Sequence, residues 1–141
     1  MPTVRASRRH LLKGVAITAG VAAFPWPLRA QVKTIKVGVV SPITGAMAEV
    51  GGDCRLGAQL AAEAINAAGG IKSLGGAKIE GVLGDSQGKP EIGASEVDKM
   101  VEQGVAGLVA GYSSAISLAT SQEAAKSNTP HVVDVGEMAE E

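Results

Sequence analysis

From residue 34 onward, the apolar positions alternate between two spacings. "TIKVGVVS", residues 34–41, is a short β-branched run that predicts a first strand. Small and Gly-rich loop residues from Pro42 to Gly52 follow. Leu56, Leu60, Ala64 and Ala67 then recur at helical spacing, with Arg55, Gln59 and Glu63 off that row. This helix is expected to start at Asp53 as its N-cap and to close at Gly69-Gly70. "AKIEGVLGD", residues 77–85, predicts a second strand, interrupted by Gly81. Pro90 and Glu91 suit the first turn of a second helix: the ring pre-sets φ, and the acid sits at the positive end of the dipole. Ala94, Val97 and Val101 form its apolar row and Gly104 ends it. Val105 to Ala110 reads as a third strand. A third helix runs from about Ser114 to Ser127 with Leu118, Ala125 and nearby alanines inward, and Thr129-Pro130 stops it. "HVVDV", residues 131–135, is the fourth strand.

Strands alternating with helices predict an α/β fold: a doubly wound parallel sheet, covered on both faces by right-handed crossovers. Ligands in such sheets bind beyond the carboxyl ends of the strands, where the winding reverses. For strand order 2-1-3-4 that point falls between strands one and three. The loops that meet there are Ser41 to Gly52 and Gly111 to Ala115, and the loop from Asp134 to Met138 lies alongside.

The second of these loops, Gly111-Tyr112-Ser113-Ser114-Ala115, carries the candidate chemistry. A helix start has unpaired N–H groups and partial positive charge. Ser113 and Ser114 add hydroxyl donors there, and the Ala115 N–H points the same way, so the turn suits a small carboxylate. A catalytic serine on a G-x-S-x-G elbow is the rival reading. It lacks partners: Ala115 replaces the last glycine, and His131 starts the next strand, so the order serine, acid, histidine is missing. A third reading has one serine simply capping the helix, which is compatible with ligand contact.

Other motifs lead nowhere. "GDSQGKP", residues 84–90, has Leu83 where a phosphate loop needs its first glycine and Pro90 where it needs Ser or Thr. No dinucleotide fingerprint follows the first strand, and no His/Cys/Asp cluster has metal-ligand spacing, so neither cofactor nor metal is expected. Asp85 and Asp134 read as turn-capping acids at strand ends. Cys54 reads as a small packing residue near a helix start.

Charge divides the chain. The first 30 residues hold five of its 13 basic groups and none of its 14 acids, leaving eight basic and 14 acidic residues beyond, a net of −6. A nucleic-acid partner is therefore not expected, since phosphate neutralisation needs a basic face. Tyr112 is also the sole aromatic past residue 30, which leaves no stacking platform. The first 30 residues read as an export signal: a basic start, an apolar run from Val15 to Phe24, helix-breaking Pro25 and Pro27, and a cut near Ala30. Ser7, Arg8, Arg9, Leu11, Leu12 and Lys13 match the twin-arginine pattern. The apolar run is short of the ~20 residues that span a bilayer.

"IKVGVVSPITGAMAEVGGDCRLGAQLAAEAINAAGGI", "GVAGLVAGYSSAISLATSQEA" and "TPHVVDVG" together resemble the branched-chain amino-acid-type solute-binding proteins of bacterial ABC importers. Pro42, Thr44-Gly45, Gly51, Gly57, Ala64-Ile65-Asn66, Gly69-Gly70-Ile71 and Asp85 carry the match. The resemblance implies a type I periplasmic binding protein fold with no enzymatic activity, which captures an amino acid or related small carboxylate for a membrane permease. It places the carboxylate on Ser113, Ser114 and Ala115, with Ala115 offering a backbone donor only. Gly136 and Met138 match lining positions after the fourth strand, and Val50 falls where some members have an aromatic wall. "GYSSAISL" is similar to members that carry aromatic acids. Family members are more than twice as long, so residues 31–141 are expected to form an incomplete N-terminal lobe behind the signal. A ligand-sensing domain of a receptor or regulator shares this fold and is the alternative.

Export has a direct optical signature. Cleavage near Ala30 removes Trp26, the sole tryptophan. Protein recovered from periplasm should show tyrosine emission alone, and changing Arg8 and Arg9 to Lys should leave uncut precursor in the cytoplasm. Tryptophan emission from the periplasmic fraction would refute the assignment.

Overall fold

β-branched Thr34, Ile35, Val37, Val39 and Val40 favour extended backbone, and β1 spans Thr34–Ser41. α1 follows at Ala48–Ala67, then a 3-10 turn at Lys72–Leu74 and β2 at Lys78–Asp85. α2 is Pro90–Glu102, β3 Gly107–Ala110, α3 Ser114–Lys126 and β4 His131–Val133. The computed structural model describes residues 33–134. The expected export signal and cleavage site, Gly136 and Met138 lie outside the described residues.

The four strands are parallel, in the order β2-β1-β3-β4. This is the doubly wound sheet expected from the alternation of elements. Right-handed crossovers send β1 to β2 in one direction and β2 to β3 in the other, so α1 lies on one face and α2 and α3 on the opposite one. Side chains follow this division. Val40, Leu108 and Ala110 point to the α2/α3 side and close the core with Val97, Met100, Val105 and Ala124. Met100 and Leu108 are both about 2 % exposed, and each contributes about 1.5–3 kcal/mol by leaving water. Gly38 and Gly84 lie beneath Met100, where a Cβ would come within 2.7 and 2.8 Å of its side chain.

Four helical expectations need correction. α1 begins at Ala48, five residues before Asp53, with Met47 at its N-cap position and no side-chain cap. Gly51-Gly52 looks like loop chemistry, but Gly51 is helical and buried because the helix start packs directly on Pro42; a Cβ there would sit 2.1 Å from the Pro42 carbonyl oxygen. The inward face of α1 is also reversed. Leu56 and Leu60 are 53% and 56% exposed, while Arg55, Ala58, Ala62 and Asn66 lie toward the sheet. Arg55 donates to the Gly84 carbonyl. The Asn66 amide accepts from Ile79 N–H and donates to Ile79 C=O, both at 2.8 Å, as a neighbouring strand would. In α3 the inward residues are Ile116, Ser117, Thr120 and Ala124; Leu118 and Ala125 are exposed. In α2 the buried row is Gly93, Val97 and Met100, so Val97 holds while Ala94 and Val101 are only partly covered.

Gly51 and Gly52 make a controlled pair, because a Cβ on Gly52 meets nothing within 4 Å. Gly51→Ala should destabilise the chain by about 1–3 kcal/mol through overpacking. Gly52→Ala should stabilise it by about 0.5–1 kcal/mol through helix propensity. Urea unfolding midpoints that move in opposite directions are the expected result.

Candidate functional site

β1 and β3 run side by side up to the pair Val40 and Ala110, and the winding reverses between them. The chain leaves β3 through Gly111, whose φ is +98° and where a Cβ would lie 2.2 Å from Ser117 Oγ. Only glycine fits this turn, which tucks the end of β3 beneath the first turn of α3. Ser113 is the N-cap: its backbone is extended, and its Oγ accepts from Ile116 N–H at 3.4 Å. The cap uses one serine and leaves the other. Ser114 is the first residue of α3, and both it and Ala115 are exposed. N–H groups at these first two positions have no carbonyl partner within the helix and lie at the positive end of its dipole. The arrangement presents a hydroxyl and backbone donors to an anion, with no acid in the first turn of α3.

The loop after β1 faces this turn across the reversal point. It is tied down by Asp85, the last residue of β2, which accepts from Ile43 N–H at 3.0 Å, Thr44 Oγ1 at 2.7 Å and Gln87 N–H at 2.9 Å. Burial by itself would raise the Asp85 carboxyl. The bonds from the Thr44 side chain and from the Gln87 and Ile43 N–H groups outweigh it and hold the pKa below its ordinary value. Val50 follows on the first turn of α1, 41% exposed. Cys54, one turn further on, has its thiol pKa pushed up by burial first and then by Asp134 and Asp53. The end of β4 is therefore within electrostatic reach of α1.

Of the residues singled out from sequence, Ser113, Ser114 and Ala115 come together at the start of α3, and Val50 lies on the element carried by the opposing loop. Gly136 and Met138 lie outside the described residues. His131 Nε2 is 3.1 Å from Thr120 Oγ1, on the inner face of α3. Among the described residues no group of three or more His, Cys, Asp or Glu side chains is placed to hold a metal ion. The tie made by Thr44 and Asp85 was not legible as such; Asp85 read as a turn acid, and its partners lie about 40 residues away in sequence. A groove of about 450 Å³ lies elsewhere, between α1 and Val37, Val39, Ile79, Leu83 and Val109. Its floor is apolar, and the one charged residue lining it, Glu63, is an acid, so it does not suit a carboxylate.

The sequence matches the periplasmic binding protein family over residues 34–140. The chain belongs to that family. It is 35% identical over 115 residues to Leu/Ile/Val-binding protein homolog 1 of Brucella abortus, covering 82% of this chain and 29% of that protein. The branched-chain amino acid transporter substrate-binding protein LivJ of Streptococcus pneumoniae, solved with isoleucine, superposes with a TM-score of 0.70 at 33% identity, over 75% of this chain and 30% of LivJ. A solute-binding protein of Rhodopseudomonas palustris, solved with 3,4-dihydroxybenzoic acid, superposes at 0.57 and 25% identity, over 73% of this chain and 27% of its own. The fold is thus that of type I periplasmic binding proteins, and this chain spans less than a third of the length of each of these relatives.

His131 gives this periplasmic binding protein segment a pH-dependent stability. Burial lowers its pKa from the ordinary 6.5, against an opposing pull from Asp134. The unfolded chain therefore takes up the proton first. The stabilisation is fully present above pH 6.5 and is lost as pH falls from there through the lowered native value. Thermal melts of the wild type should drop over that window. His131→Gln should flatten this part of the profile; an unchanged slope would assign it to other groups.

Proposed function

We propose that this chain is the export signal and the first part of the N-terminal lobe of an ABC importer's substrate-binding protein. Its site captures the carboxylate of a branched-chain amino acid or a related small acid in the periplasm and delivers it, unchanged, to a membrane permease. The observation that carries this reading is the start of α3: Ser114 and Ala115 are exposed at the winding reversal while Ser113 alone supplies the cap. Isoleucine and 3,4-dihydroxybenzoic acid, found with two relatives, have different bodies but share a carboxylate. A helix N-terminus with a hydroxyl recognises that shared group and leaves the body of the ligand to other walls. Val50, small and half-exposed on the opposing element, leaves room for either body.

In the full-length protein that carries this segment, leucine, isoleucine, valine or a hydroxybenzoate should raise the melting temperature, as any ligand that binds only the folded state does. Ser114→Ala should weaken that binding by about 1–3 kcal/mol, the worth of one hydrogen bond to a charged group. Glu123→Ala should change little, since Glu123 pairs with Lys126 at 2.6 Å further along α3. Calorimetric titration separates the two, and equal losses would reduce the serine turn to a structural role. Mass spectrometry of the released ligand should find it unaltered.

A further inference from the structure

We infer that Asp85 is a positioning residue for the ligand site, holding the loop between β1 and α1, and with it the Val50 turn, at a fixed distance from the start of α3. The inference rests on the proposed binding function. The geometry of the Asp85 tie is independent of any ligand.

The two walls of the site are anchored differently. The α3 wall is fixed locally, by the Ser113 cap and by the packing of Gly111 under Ser117. The α1 wall has no cap on its helix. Its loop leaves β1 at Ser41, whose Cα partner in β2 is Asp85 itself. The Asp85 carboxylate then reaches over to Ile43 N–H and Thr44 Oγ1, and back to Gln87 N–H in its own loop. Gln87 adopts φ +53°, and its carbonyl lies against Gly45, at 3.6 Å from where a Cβ would be. From Gly45 the chain of bonds continues into α1: Ala48 N–H donates to Gly45 C=O at 3.3 Å, and Gly51 N–H to Met47 C=O at 2.9 Å. One carboxylate therefore connects the end of β2 to the first turn of α1.

A direct ligand contact is the competing role for Asp85. A carboxylate has about four acceptor sites, and three bonds already occupy this one. The Thr44 and Gln87 bonds lie at the exposed rim, where a hydrogen bond adds little to global stability. Such a bond still decides how often the loop is in place. Apparent affinity falls by the fraction of molecules in the binding-competent arrangement, so loosening the loop weakens binding without unfolding the chain.

Two readouts test this. In the 141-residue chain, Asp85→Ala should speed amide hydrogen exchange at residues 43–48 by about tenfold relative to Val39 and Leu108, as the local opening equilibrium shifts. Asp85→Asn, whose oxygen still accepts from Ile43 and Gln87, should restore slow exchange. In the full-length protein, Asp85→Ala and Thr44→Val should weaken isoleucine and 3,4-dihydroxybenzoate alike, by about three- to tenfold, with melting temperatures near wild type. Thr44→Ser should bind as wild type does. Thr44→Val removes a single exposed hydroxyl, so it carries both arms if Asp85→Ala fails to fold. Unchanged exchange at 43–48, or affinity that falls only in step with melting temperature, overturns the positioning role. Loss confined to isoleucine overturns it in favour of direct contact with the ammonium group. A wild-type protein that binds neither compound refutes the binding function instead, while the exchange arm still reads the loop.

Discussion

Parallel strands must be joined by right-handed crossovers, and the arrangement at the carboxyl edge of this sheet follows from that constraint. β1 sends its chain one way to α1, and β3 sends its chain the other way to α3. Their loops separate and leave an opening above the pair Val40 and Ala110. Two glycines let the flanking helices approach that opening closely. Gly51 brings α1 onto Pro42, and Gly111 lets β3 turn beneath Ser117. Without these contacts the two helix starts would stand farther from the strand ends.

The two faces of the sheet are unlike. On the α2/α3 side, Val40, Leu108 and Ala110 meet Val97, Met100 and Ala124 in a closed apolar core. On the other side α1 stands alone among the described helices, and it meets the sheet largely through Arg55, Asn66 and small alanines. Asn66 caps the outer edge of β2 at Ile79 by supplying both a donor and an acceptor. An edge strand left bare would be a template for unwanted pairing. One amide side chain thus does the work of a strand partner at that position, and the Leu56–Leu60 row is turned away from the sheet as a result.

A similar division of tasks runs through the site. Adjacent serines have separate roles because the cap needs extended backbone and the next residue is already helical. Ser113 is committed to Ile116 N–H, and that commitment orients the first turn, which leaves Ser114 and the Ala115 N–H directed outward. Asp85 has the same relation to the facing loop. Ser113 thus fixes the start of a helix and Asp85 the course of a loop, each through bonds to nearby backbone.

Much of this was determined by sequence alone. The alternation of β-branched runs with Pro- and Gly-bounded helical segments fixes the element order. Chirality then fixes which face each crossover takes, and the order 2-1-3-4 sets the loops from Ser41 to Gly52 and from Gly111 to Ala115 side by side at the winding reversal. Local chemistry was legible too: Pro90 opens α2, and a serine caps α3. What the tertiary structure decided depends on contacts between residues distant in sequence. Hydrophobic spacing pointed Leu56 and Leu60 inward. The unpaired edge of β2 meets the Asn66 amide at Ile79, and Arg55 reaches the Gly84 carbonyl, so α1 presents its other face. Gly51-Gly52 read as loop because glycine disfavours helix in isolation, whereas packing on Pro42 demanded a residue without a Cβ. Asp85 read as a turn acid because its role lies in bonds to Ile43 and Thr44, which only the pairing of β1 with β2 brings within reach.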